Sequence, residues 1–419
     1  MPRFSTLDRW LEWQSGLHPE SIELGLERVE AVASRLGLID TQAIVITVAG
    51  TNGKGSSVAM LDAIYRAAGY RTCTYTSPHL LRYNERIRIN GDCVDDQALC
   101  RSFEQVDQAR KNTSLTYFEF GTLAALEIFS RAQPDVIILE VGLGGRLDAV
   151  NIVSADVALV TSIAIDHSNW LGNDRDKIGY EKAGIFRPGR PAVCSDPQPP
   201  DSLRKQAELI GANWMALGTH YSYEKSAQGW GWQGDDQCYE VLPLPALAGR
   251  HQLDNAAGVI RVLTALAEVR PVKPQAIAEG LLAVTLAGRC QLIPGPVEQV
   301  FDVAHNPASA VQLAEFLAER PVAGHTWLVL GMLTDKDHAG FAAELKKDID
   351  HWCLAGLDDE RGLSAQQLAP LLELPGSRKQ CFRDVSSAYR HAQAAAKPGD
   401  RIVVSGSFLA VAAALASQV

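Results

Sequence analysis

Apolar residues fall into two kinds of run along this chain. Short, uninterrupted stretches rich in β-branched side chains, residues 43–49, 135–140 and 157–161, predict strands buried on both faces, because a strand with one wet face alternates instead. A fourth strand is expected over 71–76. Between them, 56–68, closed by Gly69, and 119–131 carry helical spacing. Strands of this type separated by helices predict a mostly parallel sheet covered on both faces. Residues 197–245 mix tryptophan, glycine and acidic side chains and predict a peripheral antiparallel excursion. Helices are expected over 255–269 and 274–284. The run Ala287-Gly288-Arg289-Cys290-Gln291-Leu292-Ile293-Pro294-Gly295-Pro296 then marks a boundary through its proline and glycine. Beyond it, strands at 299–303, 326–330 and 401–404 alternate with helices after Pro307 and over 386–396. The fold class expected is α/β with two doubly wound domains: 1–287 carrying a glycine-rich loop, a linker at 288–296, and a smaller Rossmann-like domain over 297–419.

Composition narrows the function. A chain of 419 residues, 47% hydrophobic and 21% charged, is ordinary globular material. Its formal charge of −10 argues against a protein that coats nucleic acid. The eight cysteines are scattered without a C-x-x-C pair and read as buried free thiols of a reducing cytosol. The start, Met1-Pro2-Arg3-Phe4-Ser5-Thr6-Leu7-Asp8, is no signal peptide, and 402–419 reads as strand, turn and helix rather than a membrane span.

The chemistry concentrates at strand ends. Gly50-Thr51-Asn52-Gly53-Lys54-Gly55-Ser56 lies where a buried strand meets a helix, which makes a phosphate loop credible: glycines admit backbone amides to phosphate oxygens, Lys54 adds charge, and Ser56 reaches a magnesium ion. It departs from the common pattern, with Val48 at the first glycine position and Gly55 between Lys54 and Ser56. Glu140 closes its strand before Val141-Gly142-Leu143-Gly144-Gly145-Arg146-Leu147-Asp148, and Asp166-His167 follows the next strand. Glutamate and histidine at successive strand ends favour a metal over two structural side chains. Ser77 before Pro78 is a further candidate. By spacing alone Glu181-Lys182-Ala183-Gly184-Ile185 is only a charged helix end capped by glycine, with Lys182 on the surface. Arg289, Asp302, His305 and Asn306 are polar loop residues about the domain boundary.

In order, these motifs resemble the Mur ligase superfamily and, within it, the bacterial folylpolyglutamate synthase/dihydrofolate synthase family. Further matching stretches are Glu23-Leu24-Gly25-Leu26-Glu27-Arg28-Val29, Tyr75-Thr76-Ser77-Pro78-His79-Leu80, Asn84-Glu85-Arg86-Ile87, Thr116-Tyr117-Phe118-Glu119, His251-Gln252-Leu253-Asp254-Asn255, Asp302-Val303-Ala304-His305-Asn306-Pro307, Gly331-Met332-Leu333-Thr334-Asp335-Lys336-Asp337 and Ser405-Gly406-Ser407. One departure is Val150, where the family more often has threonine. The resemblance implies a cytoplasmic, monomeric, ATP-dependent ligase that adds L-glutamate to dihydropteroate and to tetrahydrofolates through an acyl phosphate, with no nucleic acid or membrane partner. The alternatives are a Mur-type amide ligase for another carboxylate and a nucleotide-gated folate-binding protein.

The resemblance also implies roles. Gly50, Thr51, Asn52, Gly53, Lys54, Gly55, Ser56, Asn255, Arg289 and Asp302 would contact ATP. Ser56, Ser77, Glu140, His167 and Lys182 would serve two magnesium ions, with Lys182 carbamylated. Lys54, Glu140, His167 and Lys182 would form the catalytic group. Phe118 and Asp148 would line the pteroate pocket, and His305 with Ser407 would meet glutamate.

Overall fold

A computed structural model describes residues 3–20, 22–235 and 237–417. The ends of the two terminal segments read above, Met1, Pro2, Gln418 and Val419, lie outside the described residues. Cα packing divides the chain into two compact units. The first comprises Met1–Ile163, Leu171–Ala246 and Leu253–Val284, and the second Ala164–Trp170, Leu247–Gln252 and Thr285–Val419.

The first unit is built on eight strands: β1 (Ile44–Ala49), β2 (Thr72–Tyr75), β3 (Ile87–Ile89), β4 (Asp92–Cys93), β5 (Val136–Glu140), β6 (Val157–Val160), β7 (Pro191–Cys194) and β8 (Asn213–Ala216). They lie in the order β4-β3-β2-β5-β1-β6-β7-β8, parallel from β2 to β8, with β3 and β4 antiparallel at one edge. The uninterrupted apolar runs are the central strands, as their periodicity requires: all five residues of β5 are buried. The chain leaves β1 for β2 on one side of it, whereas β5 leads to β6 on the other. Strand order therefore reverses at β1, where open α/β sheets open a crevice at the carboxyl edge.

Helix Lys54–Ala67 follows β1 directly. Helix Tyr117–Ala132 starts two residues earlier than its periodicity indicated, because Thr116 and Glu119 form a reciprocal capping box: the Glu119 carboxylate accepts from Thr116 N at 2.7 Å. The expected excursion at 197–245 is more regular than its composition implied. It contains helix Asp201–Ile210, the parallel strand β8 and an antiparallel ribbon of β9 (Tyr221–Ser226), β10 (Gly229–Gly234) and β11 (Cys238–Leu242).

The second unit holds β12 (Gln291–Ile293), β13 (Glu298–Phe301), β14 (Thr326–Leu330), β15 (His351–Ala355), β16 (Lys379–Phe382) and β17 (Arg401–Ser405). Their order is β12-β13-β17-β14-β15-β16, all parallel except β12. The stretch 288–296, read as a linker, thus contributes an edge strand, since Gln291-Leu292-Ile293 can pair with β13 between its flanking prolines and glycines. Its burial runs through Val300, Leu328, Trp352 and Val403.

All eight cysteines are free, but they are not all buried. Cys93, Cys238 and Cys381 are exposed, and each sits on an edge strand, β4, β11 and β16, where one flank faces water. Among the described residues, no helix is long and apolar enough to cross a membrane.

Candidate functional site

The glycine-rich loop leaves β1 at the reversal point. Gly53 has φ +94°, a left-handed turn that aims the chain into helix Lys54–Ala67, and the helix start has no side-chain cap and no acidic residue in its first turn. Such an N-terminus suits an anion, through its backbone N–H groups and its partial positive charge. Behind the loop stands the end of β6. Thr51 N donates to Ser162 O at 2.7 Å, Thr161 Oγ1 donates to Asn52 O at 2.8 Å, and Ser162 Oγ donates to the same Asn52 carbonyl at 3.1 Å. Asn255 packs directly over Gly53, its Oδ1 only 2.4 Å from where a Cβ would stand. The loop and Asn255, far apart in sequence, are therefore neighbours.

Lys54 Nζ donates to Gly50 O at 3.0 Å and to Thr51 O at 3.1 Å. Lys182 Nζ reaches the same Gly50 carbonyl at 2.9 Å from helix Arg175–Ala183. Spacing alone placed Lys182 on the surface, but it is only 4% exposed. The helix end is pressed against the turn after β5: Arg146 N donates to Glu181 O, and Arg146 grips the Glu181 carboxylate through Nε and Nη2. Gly184 does follow this helix, but with ordinary right-handed geometry. Its glycine serves close approach, since a Cβ there would lie 2.4 Å from Arg146 Cα.

Glu140 ends β5 beside β1 and is buried, and its Oε2 accepts from Ser77 N at 3.2 Å. Ser56 is buried in the first turn of the loop helix. Hydroxyl and carboxylate oxygens at such positions are the hard donors that magnesium takes. Among the described residues no three His, Cys, Asp or Glu side chains gather into a metal cage.

The expected acceptor pair also converges. The Phe118 ring lies over Gly142, within 2.7 Å of where its Cβ would be, and the Asp148 carboxylate bends back over the same loop to accept from Leu143 N at 2.8 Å and Val150 N at 3.1 Å. Burial pushes the Asp148 carboxyl up to about 6, against the pull of those N–H groups and of Lys54.

The second unit carries the other candidates. Asp166 accepts from Lys336 Nζ at 2.6 Å and Asn306 Nδ2 at 3.0 Å, and pairs with His305 Nε2 at 3.1 Å. Burial opposes its charge, yet His305, His167 and Lys336 hold its carboxyl well below the usual carboxylate range. His167 adopts φ +51°, with its N–H donating to Asp166 Oδ1. Lys336 joins this cluster although the sequence assigns it no role: Asp335-Lys336-Asp337 marks only a charged turn, and its partner Asp166 lies 170 residues away.

Asp302 uses both carboxylate oxygens on backbone, accepting from Cys290 N at 2.7 Å and Ala304 N at 2.8 Å, which places it beside Arg289. Arg289 donates to Gly288 O and lies over the Phe408 ring. Ser405 Oγ and Gly406 N both donate to Ala304 O, so the loops bearing His305 and Ser407 run side by side. Ser407 itself caps helix Phe408–Ala416, accepting from Ala410 N and donating to Gly331 O.

Comparison with known proteins agrees in extent. The Mur ligase middle domain matches residues 48–263, and the Mur ligase glutamate ligase domain matches 288–408. The Escherichia coli (strain K12) dihydrofolate synthase/folylpolyglutamate synthase is 45% identical over 412 residues, 97% of this chain and 94% of that protein. A solved structure of E. coli FolC in complex with DHPP and ADP superposes with TM-score 0.94 at 44% identity, covering 98% of this chain and 97% of the other. A bifunctional folylpolyglutamate synthase/dihydrofolate synthase with Mn, AMPPNP and L-glutamate bound gives TM-score 0.92 at 45% identity, covering 99% and 98%.

Proposed function

The chain belongs to the Mur ligases, within the dihydrofolate synthase/folylpolyglutamate synthase family, and from that premise we propose that it joins L-glutamate to dihydropteroate and to the γ-carboxylate of reduced folates at the expense of ATP. The observation that carries this reading is the convergence of Lys54 and Lys182 on the Gly50 carbonyl at the head of a helix. Lys54 brings a cation to the positive end of that helix, and both favour an anion held at the loop. A triphosphate is such an anion.

In this reading an oxygen of the acceptor carboxylate attacks the γ-phosphorus and ADP departs, leaving an acyl phosphate. The amine of glutamate then attacks the carbonyl carbon, inorganic phosphate leaves, and the amine loses its proton. No protein nucleophile takes part, so positioning and charge neutralisation carry the rate. Lys54 and the loop amides hold phosphates, with Asn255 over Gly53. Phe118 offers the acceptor an aromatic face and Asp148 a hydrogen-bonding edge. Arg289 and Asp302 are assigned to the nucleotide, and His305 and Ser407 to glutamate. Ser56, Ser77, Glu140, His167 and Lys182 are assigned to two magnesium ions, which when bound would offset charge on the phosphates.

Lys182 works as a carbamate in this proposal. An ammonium beside a divalent cation is repelled, whereas a carbamate presents anionic oxygens and still keeps one N–H on Nζ for the Gly50 carbonyl. A cytoplasmic monomer completes the reading. Incubating the purified chain with ATP, magnesium, glutamate and either dihydropteroate or a tetrahydrofolate, and reading product masses, tests it. One added glutamyl residue on each acceptor, with ADP release that needs both acceptor and glutamate, is expected. ADP release only with an unrelated carboxylate would favour another Mur-type amide ligase, and binding without ADP release would favour a folate-binding protein.

A further inference from the structure

The segment that backs the phosphate loop is itself held from behind. Thr161 and Ser162 bond the loop through Thr51 N and Asn52 O, and Ile163 follows them as the last residue before the chain leaves the first unit. Both backbone polar groups of Ile163 are taken by one ion pair. Its N–H donates to Asp196 Oδ2 at 2.7 Å, and its carbonyl accepts from Arg175 Nε at 2.9 Å. Arg175 Nη2 closes the pair, donating to Asp196 Oδ2 at 3.1 Å and to Gln198 O at 2.8 Å. Asp196 is 4% exposed and its other oxygen accepts from Gln198 N at 2.8 Å.

Arg175 opens the same helix that ends in Lys182. Seven residues of helix span about 10 Å, and this one helix reaches Ile163 O with its first residue and Gly50 O near its last. Neither Arg175 nor Asp196 is among the residues assigned to substrate, nucleotide or metal above. We infer that Arg175 and Asp196 are positioning residues for the nucleotide: clamping Ile163 at both backbone groups, they fix Thr161 and Ser162 and through them the carbonyls and amides of the phosphate loop. This rests on reading residues 50–56 as the phosphate loop.

The geometry dictates informative variants. Arg175→Lys keeps the charge but cannot fork across Ile163 O, Asp196 and Gln198 O. Asp196→Asn must turn an amide N–H₂ toward the donors at Ile163 and Arg175 or toward Gln198 N. In each, the AMPPNP Kd and the ATP KM should rise about tenfold, the scale of one lost charge-assisted hydrogen bond. The Thr51 amide should exchange hydrogen faster, and the KM values for dihydropteroate and glutamate should hold. Unchanged AMPPNP affinity and Thr51 exchange in both variants overturns the inference. So does a fall in thermal stability that weakens ATP, dihydropteroate and glutamate alike, which is what a merely structural pair would give. Lys54→Ala is the control for the underlying reading: if its AMPPNP affinity matches the parent chain, the phosphate-loop assignment fails and takes the clamp with it. If Lys54→Ala weakens AMPPNP while Arg175→Lys and Asp196→Asn do not, only the clamp fails.

Discussion

Gly53→Ala probes the packing of Asn255 over the glycine-rich loop. At φ +94° an L-residue is strained by about 1–2 kcal/mol. The new Cβ would also stand 2.4 Å from Asn255 Oδ1 and 3.1 Å from its Cγ and Nδ2. Restoring ordinary contact moves the Asn255 amide by about 1 Å, and displacing a buried amide from its partners costs about 1–3 kcal/mol. The whole is about 2–5 kcal/mol, a large part of the 5–15 kcal/mol typical of native stability. Asn255→Ala separates the two components, because it removes the collision and leaves the backbone strain. Denaturant unfolding of the parent, both single variants and the double variant gives the cycle, with AMPPNP titration alongside. Gly53→Ala should cost about 1–2 kcal/mol in the Asn255→Ala background, below its cost in the parent. Equal cost in both backgrounds, or a Gly53→Ala protein within about 0.5 kcal/mol of the parent, refutes the packing of Asn255 over the loop.

Substitutions at three other positions report on the chemistry. Lys54→Ala should lower kcat by about 10²- to 10³-fold, as removal of a single preorganised transition-state donor does, and near-normal turnover in a folded variant would refute phosphate neutralisation by Lys54. Lys182→Ala should be nearly inactive and partly rescued by acetate or formate, whereas Lys182→Arg should stay inactive because a guanidinium takes up no carbon dioxide; full activity in Lys182→Arg eliminates the carbamate. The Asp148 carboxyl, pushed up to about 6 by burial, stays protonated below that value and ionises above it, so the dihydropteroate KM should fall as pH rises through about 6, and Asp148→Asn should flatten that profile. For stability the sign is opposite: a carboxyl raised in the folded state contributes fully below its unfolded value of 3.8, and that contribution is lost as pH climbs through about 6.

What the chain disclosed about itself follows from where each side chain's partner lies. Central strands such as β1 and β5 are legible because burial on both faces leaves a continuous apolar run, a signal carried by the strand alone. Edge strands leave no such run. β4 is Asp92–Cys93 with both residues exposed, and β16 holds exposed Gln380 and Cys381, so their pairing is set by neighbours and the cysteines on them read wrongly as buried. The loop 50–56 is legible for a different reason: its glycines answer to local backbone geometry, and Gly53 keeps that geometry whatever stands over it. That Asn255 stands there is a tertiary fact.

Arg175 and Asp196 leave no mark of their role in the sequence, and the reason is physical. Their partner is the backbone of Ile163, and a peptide N–H and carbonyl are the same in every residue, so the receiving end of the clamp has no residue type that could mark it. Lys182 shows the same effect from the other side. Its partner is the carbonyl of Gly50, and neither its spacing nor its neighbours distinguish a buried lysine bonded to the phosphate loop from an exposed one at a helix end. Residues that act on side chains have partners of particular residue types, even where, as for Lys336 and Asp166, the two lie far apart in sequence. Those that act on the main chain appear only when the fold brings the two segments together.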